Sequence, residues 1–193
     1  MKKNLLISIW MTLVTTILLG IIYPLVVTGL AQWWFPRQAN GELIRSGDKL
    51  VGSSLIGQPF TAPGYFHSRP SYAGSGYDAA NSSGSNLAPT NKSLIDRVSA
   101  SVQSLKAENP SAPIPADLVT SSGSGLDPDI SPAAAEFQVP RVARERGMKE
   151  EDVSALVKKH TQDRQFGFLG EPRVNVLELN LDLDATHPMP QGH

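Results

Sequence analysis

Residues 4–36, NLLISIWMTLVTTILLGIIYPLVVTGLAQWWFP, decide the architecture of this 193-residue chain. They contain no charged side chain, and fifteen of the positions between Leu5 and Leu30 are Leu, Ile or Val. About 20 apolar residues span the hydrocarbon layer of a bilayer, and each Leu, Ile or Val near the middle contributes roughly −0.3 to −0.6 kcal/mol to insertion. The sum favours a membrane span by several kcal/mol, which Thr12, Thr15, Thr16 and Gly20 do not reverse. A cleaved signal peptide is the competing reading, because Lys2 and Lys3 form a basic start and Gly29-Leu30-Ala31 has small-x-small spacing. The run is longer than such peptides and ends in Trp33-Trp34-Phe35 rather than in a polar cleavage region, so an uncleaved anchor is favoured.

The flanks give the orientation. Lys2 and Lys3 precede the span and only Arg37 follows it closely, which predicts a short cytoplasmic N-terminus and an extracytoplasmic remainder. Trp10 and Trp33 are 23 positions apart, about 35 Å of helix, which suits one ring near each interface, with Trp34 beside the second. Pro24 falls within the span and predicts a kink. Thr12, Thr16 and Gly20 recur every fourth residue and place three small side chains on one stripe, where a second helix has room to approach. Threonine merely tolerated in lipid explains the same spacing, and both readings stand at this stage.

Residues 37–193 carry all 18 acidic residues and all but Lys2 and Lys3 of the 17 basic ones. That mildly acidic balance gives no reason to expect nucleic-acid binding. Cysteine is absent, which removes disulfides, thiol nucleophiles and thiolate metal sites. Gly57 to Asn91 is rich in Gly, Ser, Pro and Asn and reads as turns and loops. From Asn91 to Asn109 the positions Leu94, Ile95, Val98, Val102 and Leu105 follow a helical period, with Asn91 or Thr90 as N-cap. Ser131-Pro132 starts a second helix that Pro140 is expected to interrupt, and Lys149 to His160 a third, with His160 bordering the core. Leu177 to Asp184 alternates strictly and predicts a strand. Lys49–Leu55, Gly64–His67 and Leu118–Thr120 are shorter strand candidates. The fold class expected is α+β: a single N-terminal transmembrane helix (1–36), then one extracytoplasmic domain (37–193) with a small sheet and about three helices.

Catalytic patterns are sparse. The Lys-Ser pair of Asn91-Lys92-Ser93 lacks the adjacent Gly of a phosphate-binding loop, and a helix cap accounts for it. Ser122-Gly123-Ser124-Gly125 has the composition of an anion-binding backbone nest, although a flexible turn is the plainer reading. His67, His160, His187 and His193 show no metal-binding spacing, and no Gly-x-Ser-x-Gly elbow occurs. Asp127 and Asp129 flank Pro128, where cation attraction or acid–base work competes with an ordinary turn, and the turn is favoured. No catalytic or metal residue is assigned.

Gln32-Trp33-Trp34-Phe35-Pro36 followed by Gln38-Ala39-Asn40-Gly41, directly after an N-terminal span, resembles the family of small C subunits of the Kdp potassium-transporting P-type ATPase. Four further blocks agree in order: Gly64 to Ser71 (GYFHSRPS), Ser83 to Leu87 (SGSNL), Ala116 to Asp127 (ADLVTSSGSGLD) and Gly170 to Leu181 (GEPRVNVLELNL). Ser83, Ala88 and Asp129 depart from the pattern, in which Gly is expected at the first position, Gly is frequent at the second and His is frequent at the third. The resemblance implies a single-pass subunit of the bacterial inner membrane. Its implied partners are a potassium-binding channel-like subunit and an ATP-hydrolysing P-type subunit. ATP and potassium are handled by the complex, with no cofactor intrinsic to this chain, which also lacks the Asp-Lys-Thr-Gly phosphorylation sequence. It further implies a catalytic chaperone that raises the ATP affinity of the hydrolysing subunit. With residues 37–193 outside the cytoplasm, that effect has to pass through the membrane helices.

Three functions are thus weighed. The leading one is a non-catalytic accessory subunit that packs through Thr12, Thr16 and Gly20, its outer domain covering the potassium uptake side. The alternative is a nucleotide-binding regulator that contacts ATP through Ser83, Gly84, Ser85 and Asn86 or through Ser122, Gly123, Ser124 and Gly125. An anchored hydrolase has little support in the sequence.

Overall fold

The computed structural model describes residues 2–189. The chain falls into two compact units, Met1–Val51 and Gly52–His193.

The first unit is dominated by one apolar rod, Lys2–Trp34, 33 residues long, about 50 Å at 1.5 Å per residue and so longer than a 30 Å hydrocarbon core. It comprises α1 (Lys2–Ile17), a π-helical turn (Leu18–Ile22) and α2 (Tyr23–Trp34). Its apolar side chains are exposed along the whole length, as in a helix that expects lipid or another helix for solvent. The irregularity expected from Pro24 takes the form of the π turn just before it. α3 (Pro36–Ala39) follows, fastened back by paired Gln32 and Asn40 amides and by Asn40 Nδ2 donating to the Pro36 carbonyl at 2.6 Å. β1 (Leu43–Ser46) and β2 (Lys49–Ser53) form a hairpin turning at Gly47, φ 59°.

The second unit is α+β. Its sheet has the order β3 (Asp129–Ile130), β5 (Arg173–Asn175), β4 (Thr161–Gln162), all antiparallel, with Ile130 and Thr161 both opposite Val174. α5 (Pro132–Arg146) and α6 (Glu150–His160) pack on each other, and α7 (Val176–Thr186) closes the core. Phe66, Ile130, Phe137, Val142, Val153, Val157, Val174, Leu179 and Leu183 fill that core. α4 (Lys92–Glu108) begins as expected: the Asn91 side chain accepts from the Ser93 N–H at 2.8 Å, the cap that accounts for the Lys-Ser pair. α6 matches its expected span, and His160 borders the core half-buried.

Several expectations need correction. Leu177–Asp184 is not a strand but α7. Asn175 caps it, accepting from the Glu178 N–H at 3.1 Å, and Val176, Leu179, Asn180 and Leu183 form a buried helical face. The strict alternation misled because polar positions along it are taken up by partners elsewhere in the fold. Asn180 is 1% exposed, Asp182 takes hydrogen bonds from Lys159 and His160, and Asp184 binds Arg146 and Tyr65.

Pro140 does not end its helix. α5 continues to Arg146, because Val142 and Ala143 gain burial beyond the proline and Gly147, φ 65°, supplies the left-handed cap. Gly64–His67 is irregular rather than a strand, because side chains rather than a neighbouring strand satisfy its backbone. Leu118–Thr120 is likewise not a strand: a single 3-10 turn, Ala116–Leu118, occupies its start. The second unit therefore has four longer helices among the described residues, close to the three or so expected.

Candidate functional site

On the N-terminal rod, the stripe of small residues follows directly from the four-residue spacing. The Thr12 hydroxyl donates back to the Ser8 carbonyl at 2.8 Å, and Thr15 to those of Met11 and Thr12 at 2.8 and 3.1 Å, so these hydroxyls are satisfied within their own helix. What they offer a neighbour is a small, closed surface. Gly20 lies inside the π turn, and a Cβ built there meets only Thr16 Cγ2, at the ordinary contact distance of 3.9 Å. The chain's own packing therefore does not require glycine at this position. Trp10, Trp33 and Trp34 are exposed, and the last two stack with centroids 5.5 Å apart. Trp33 and Trp34 close the rod, and Trp10 lies eight positions in from its start at Lys2.

In the second unit the two Ser/Gly loops, far apart in sequence, lie against each other. The Ser83 N–H donates to the Ser124 carbonyl at 3.0 Å, and the Ser82 hydroxyl donates to the same oxygen at 3.0 Å. A Cβ on Gly84 would approach the Gly123 carbonyl to 2.9 Å, and one on Gly125 the Ser83 carbonyl to 2.5 Å. The glycines there permit close backbone approach. The Leu126 N–H is bound by the Ser124 hydroxyl at 3.1 Å, and the Gly125 carbonyl accepts from Ser71 at 2.6 Å. Asn86 adopts φ 50° and is exposed, and Ser85 beside it is half-buried.

The adjacent charges are paired. Arg69 binds Asp127 at 2.9 Å and Arg173 binds Asp129 at 3.1 Å. Asp127 Oδ1 also accepts from the Asp129 N–H at 3.1 Å, which is the turn expected around Pro128. Burial raises the Asp129 carboxyl above its ordinary value, against the opposing pull of Arg173.

Sequence reading missed the system that holds this region in place, a set of polar side chains from α5 and α7 clamping residues 63–67. Asn180 makes a two-bond ring with Phe66, accepting from its N–H and donating to its carbonyl, both at 2.9 Å. Gln138 treats His67 the same way, at 2.8 and 3.1 Å. Arg146 donates to the Gly64 carbonyl at 2.7 Å, and Arg141 to those of Tyr65 (2.9 Å) and Pro63. The available signal was an amide side chain among the apolar core positions of each helix, Gln138 in α5 and Asn180 in α7.

Burial, with the Arg141 charge second, lowers the His67 imidazole below its ordinary value, and its Nε2 faces the Ala62 carbonyl at 3.2 Å. His187 lies exposed near the end of the described residues, and His193 lies outside them. Among the described residues no group of three or more His, Asp or Glu is placed to hold a metal ion.

Comparison with known proteins accounts for nearly the whole chain. The family model described as KdpC, K+-transporting ATPase, c chain, matches residues 5–185. A potassium-transporting ATPase KdpC subunit from Koribacter versatilis is 63% identical over 190 residues, covering 98% of each chain. One from Caulobacter vibrioides is 62% identical over 174 residues, covering 90% of this chain and 88% of its own length. One from Rhodopseudomonas palustris is 56% identical over 197 residues, covering 96% and 99%. A match of this length, joined to an apolar N-terminal rod and an α+β unit whose clustered loops coincide with the recognised sequence blocks, means that the chain belongs to the KdpC family, the c chains of K+-transporting ATPases.

Proposed function

We propose that this chain is a non-catalytic accessory subunit of an ATP-driven potassium uptake complex, held in the inner membrane by Lys2–Trp34 with its N-terminus cytoplasmic and its α+β unit outside. The observation that carries the reading is the rod itself. It is 33 residues long with none of its most apolar window buried in this chain, so its surface is left for lipid and for partner helices. The named relatives are subunits of potassium-transporting ATPases, and the partners that follow are a potassium-binding channel-like subunit and an ATP-hydrolysing subunit. The rod packs against them through Thr12, Thr16 and Gly20, and the outer unit covers the uptake side. A chain so placed raises the ATP affinity of the hydrolysing subunit by favouring one arrangement of the membrane helices, because its outer unit has no access to cytoplasmic nucleotide. The commitment of the Ser83 and Leu126 N–H groups and of Arg69 to internal partners favours this indirect route over a phosphate cradle in the loops.

The test is ATP hydrolysis by the complex with and without this chain. A higher KM for ATP in its absence, restored by the full chain but not by one whose rod is replaced with an unrelated span, supports the reading. An unchanged KM contradicts the chaperone role, and photolabelling of the Ser83 or Ser122 loop by an ATP probe contradicts the indirect route.

A further inference from the structure

The π turn and Pro24 together leave the Leu19 carbonyl without a backbone donor, in the place where that is least tolerated. In an α-ladder the Leu19 carbonyl accepts from residue 23, and in a π-ladder from residue 24. Here the Tyr23 N–H is bonded to the Leu18 carbonyl, and Pro24 has no N–H to donate. Threonine and serine hydroxyls reach carbonyls three or four residues upstream, as Thr12 and Thr15 do. The positions from which a hydroxyl would rescue Leu19 are therefore 22 and 23, and these are Ile and Tyr. The phenol of Tyr23 lies at the end of a ring too long to turn back onto that carbonyl.

Leu19 also lies close to the midpoint between Trp10 and Trp33, about 4 Å of helix from it, where water is scarce and an unpaired carbonyl is costly. Beside it Gly20 presents no side chain, and glycine there meets no need of this chain's own packing.

We propose that the Leu19 carbonyl, framed by Gly20 and Thr16, is a hydrogen-bond-accepting dock for a transmembrane helix of a partner subunit that carries a donor side chain (Ser, Thr, Asn or Gln) at mid-depth. Hydrogen-bond complementarity selects this occupant. Lipid tails have no donor to give, and in a second parallel copy of this chain the Leu18–Ile22 segment at that level has no donor side chain, the nearest being the Tyr23 phenol one residue beyond. The dock deepens the function proposed above and rests on the rod being a membrane span.

The experiment uses the full complex in native membranes. The photoreactive residue p-benzoylphenylalanine is placed at position 23, on the dock face, or at position 25, about 200° around the helix. Cross-linking to a partner subunit from position 23 and not from 25 is expected. Cross-linking only to lipid, only to a second copy, or equally from both positions overturns the proposal. Pro24→Ala, which restores the missing N–H, is expected to reduce co-purification with partner subunits roughly three- to twentyfold, the range of one interhelical hydrogen bond. Gly20→Leu, which leaves the helix backbone as it is, should do the same by bulk. Full yield from both variants overturns the dock. Resistance of each variant to alkaline carbonate extraction is read in parallel, since its loss would refute the membrane span rather than the dock.

Discussion

Replacing Asn180 tests the clamp that joins α7 to the segment around Phe66. Asn180→Leu is close to volume-conserving, so it opens little cavity, but it deletes both hydrogen bonds to Phe66 and strands that residue's N–H and carbonyl in a core where Phe66 itself is 0% exposed. A buried backbone group left unpaired costs about 1–3 kcal/mol, so the pair costs about 2–6 kcal/mol. For a unit of this size each kcal/mol moves the midpoint by roughly 2–4 °C, and thermal unfolding of the full chain in detergent, followed by circular dichroism, should show a drop of at least about 4 °C. Asn180→Asp separates the two bonds. It keeps the acceptor for the Phe66 N–H but turns a carboxylate toward the Phe66 carbonyl. Burial raises the folded pKa of such a group, so its penalty should shrink as pH falls and the protonated acid regains a donor. A midpoint for Asn180→Leu within about 2 °C of the parent would show that the clamp does not hold this segment.

Gly57→Ala should destabilise the second unit by about 1–3 kcal/mol in a urea titration, because the new Cβ would lie 2.5 Å from the Asp127 carbonyl oxygen; an unchanged midpoint would mean that the loops yield freely. His67 has a folded pKa lowered from 6.5 by burial and Arg141. Its contribution is therefore present above pH 6.5 and lost as pH falls through the lower folded value. The melting temperature should decline on acidification from pH 7 toward 5, and His67→Gln should flatten that decline. The Asp182 carboxyl is held below its ordinary 3.8 by Lys159 and His160, so its contribution is present above pH 3.8 and lost below it, and Asp182→Asn should lower the midpoint at neutral pH and converge with the parent at the acid end.

The N-terminal rod could be read from the sequence because a charge-free apolar run of that length calls for one long apolar helix, and α4 and α6 because cap and period agreed at Asn91 and at Glu150 to Asp152. α7 could not. The run from Leu177 to Asp184 fits both a two-residue and a helical period, and what decides between them is the tertiary partners of Asn180, Asp182 and Asp184, which come from segments more than 20 positions away. Residues 64–67 were misread for the same reason, since their hydrogen bonds end on side chains of α5 and α7. Of the candidate sites, the small-residue stripe and the two Ser/Gly loops were visible as spacing and composition. The π turn that leaves Leu19 unpaired and the contact of Ser83 with Ser124 depend on backbone geometry that no local pattern encodes.

The claim on which the rest stands is a helix that crosses the bilayer once and keeps the α+β unit outside. The chain has no cysteine, so a single Ser104→Cys substitution on the exposed face of α4 gives one reporter for a membrane-impermeant maleimide. Labelling of intact spheroplasts to the same extent as permeabilised ones is the predicted result. Labelling that appears only after permeabilisation, or only in inverted vesicles, would contradict it.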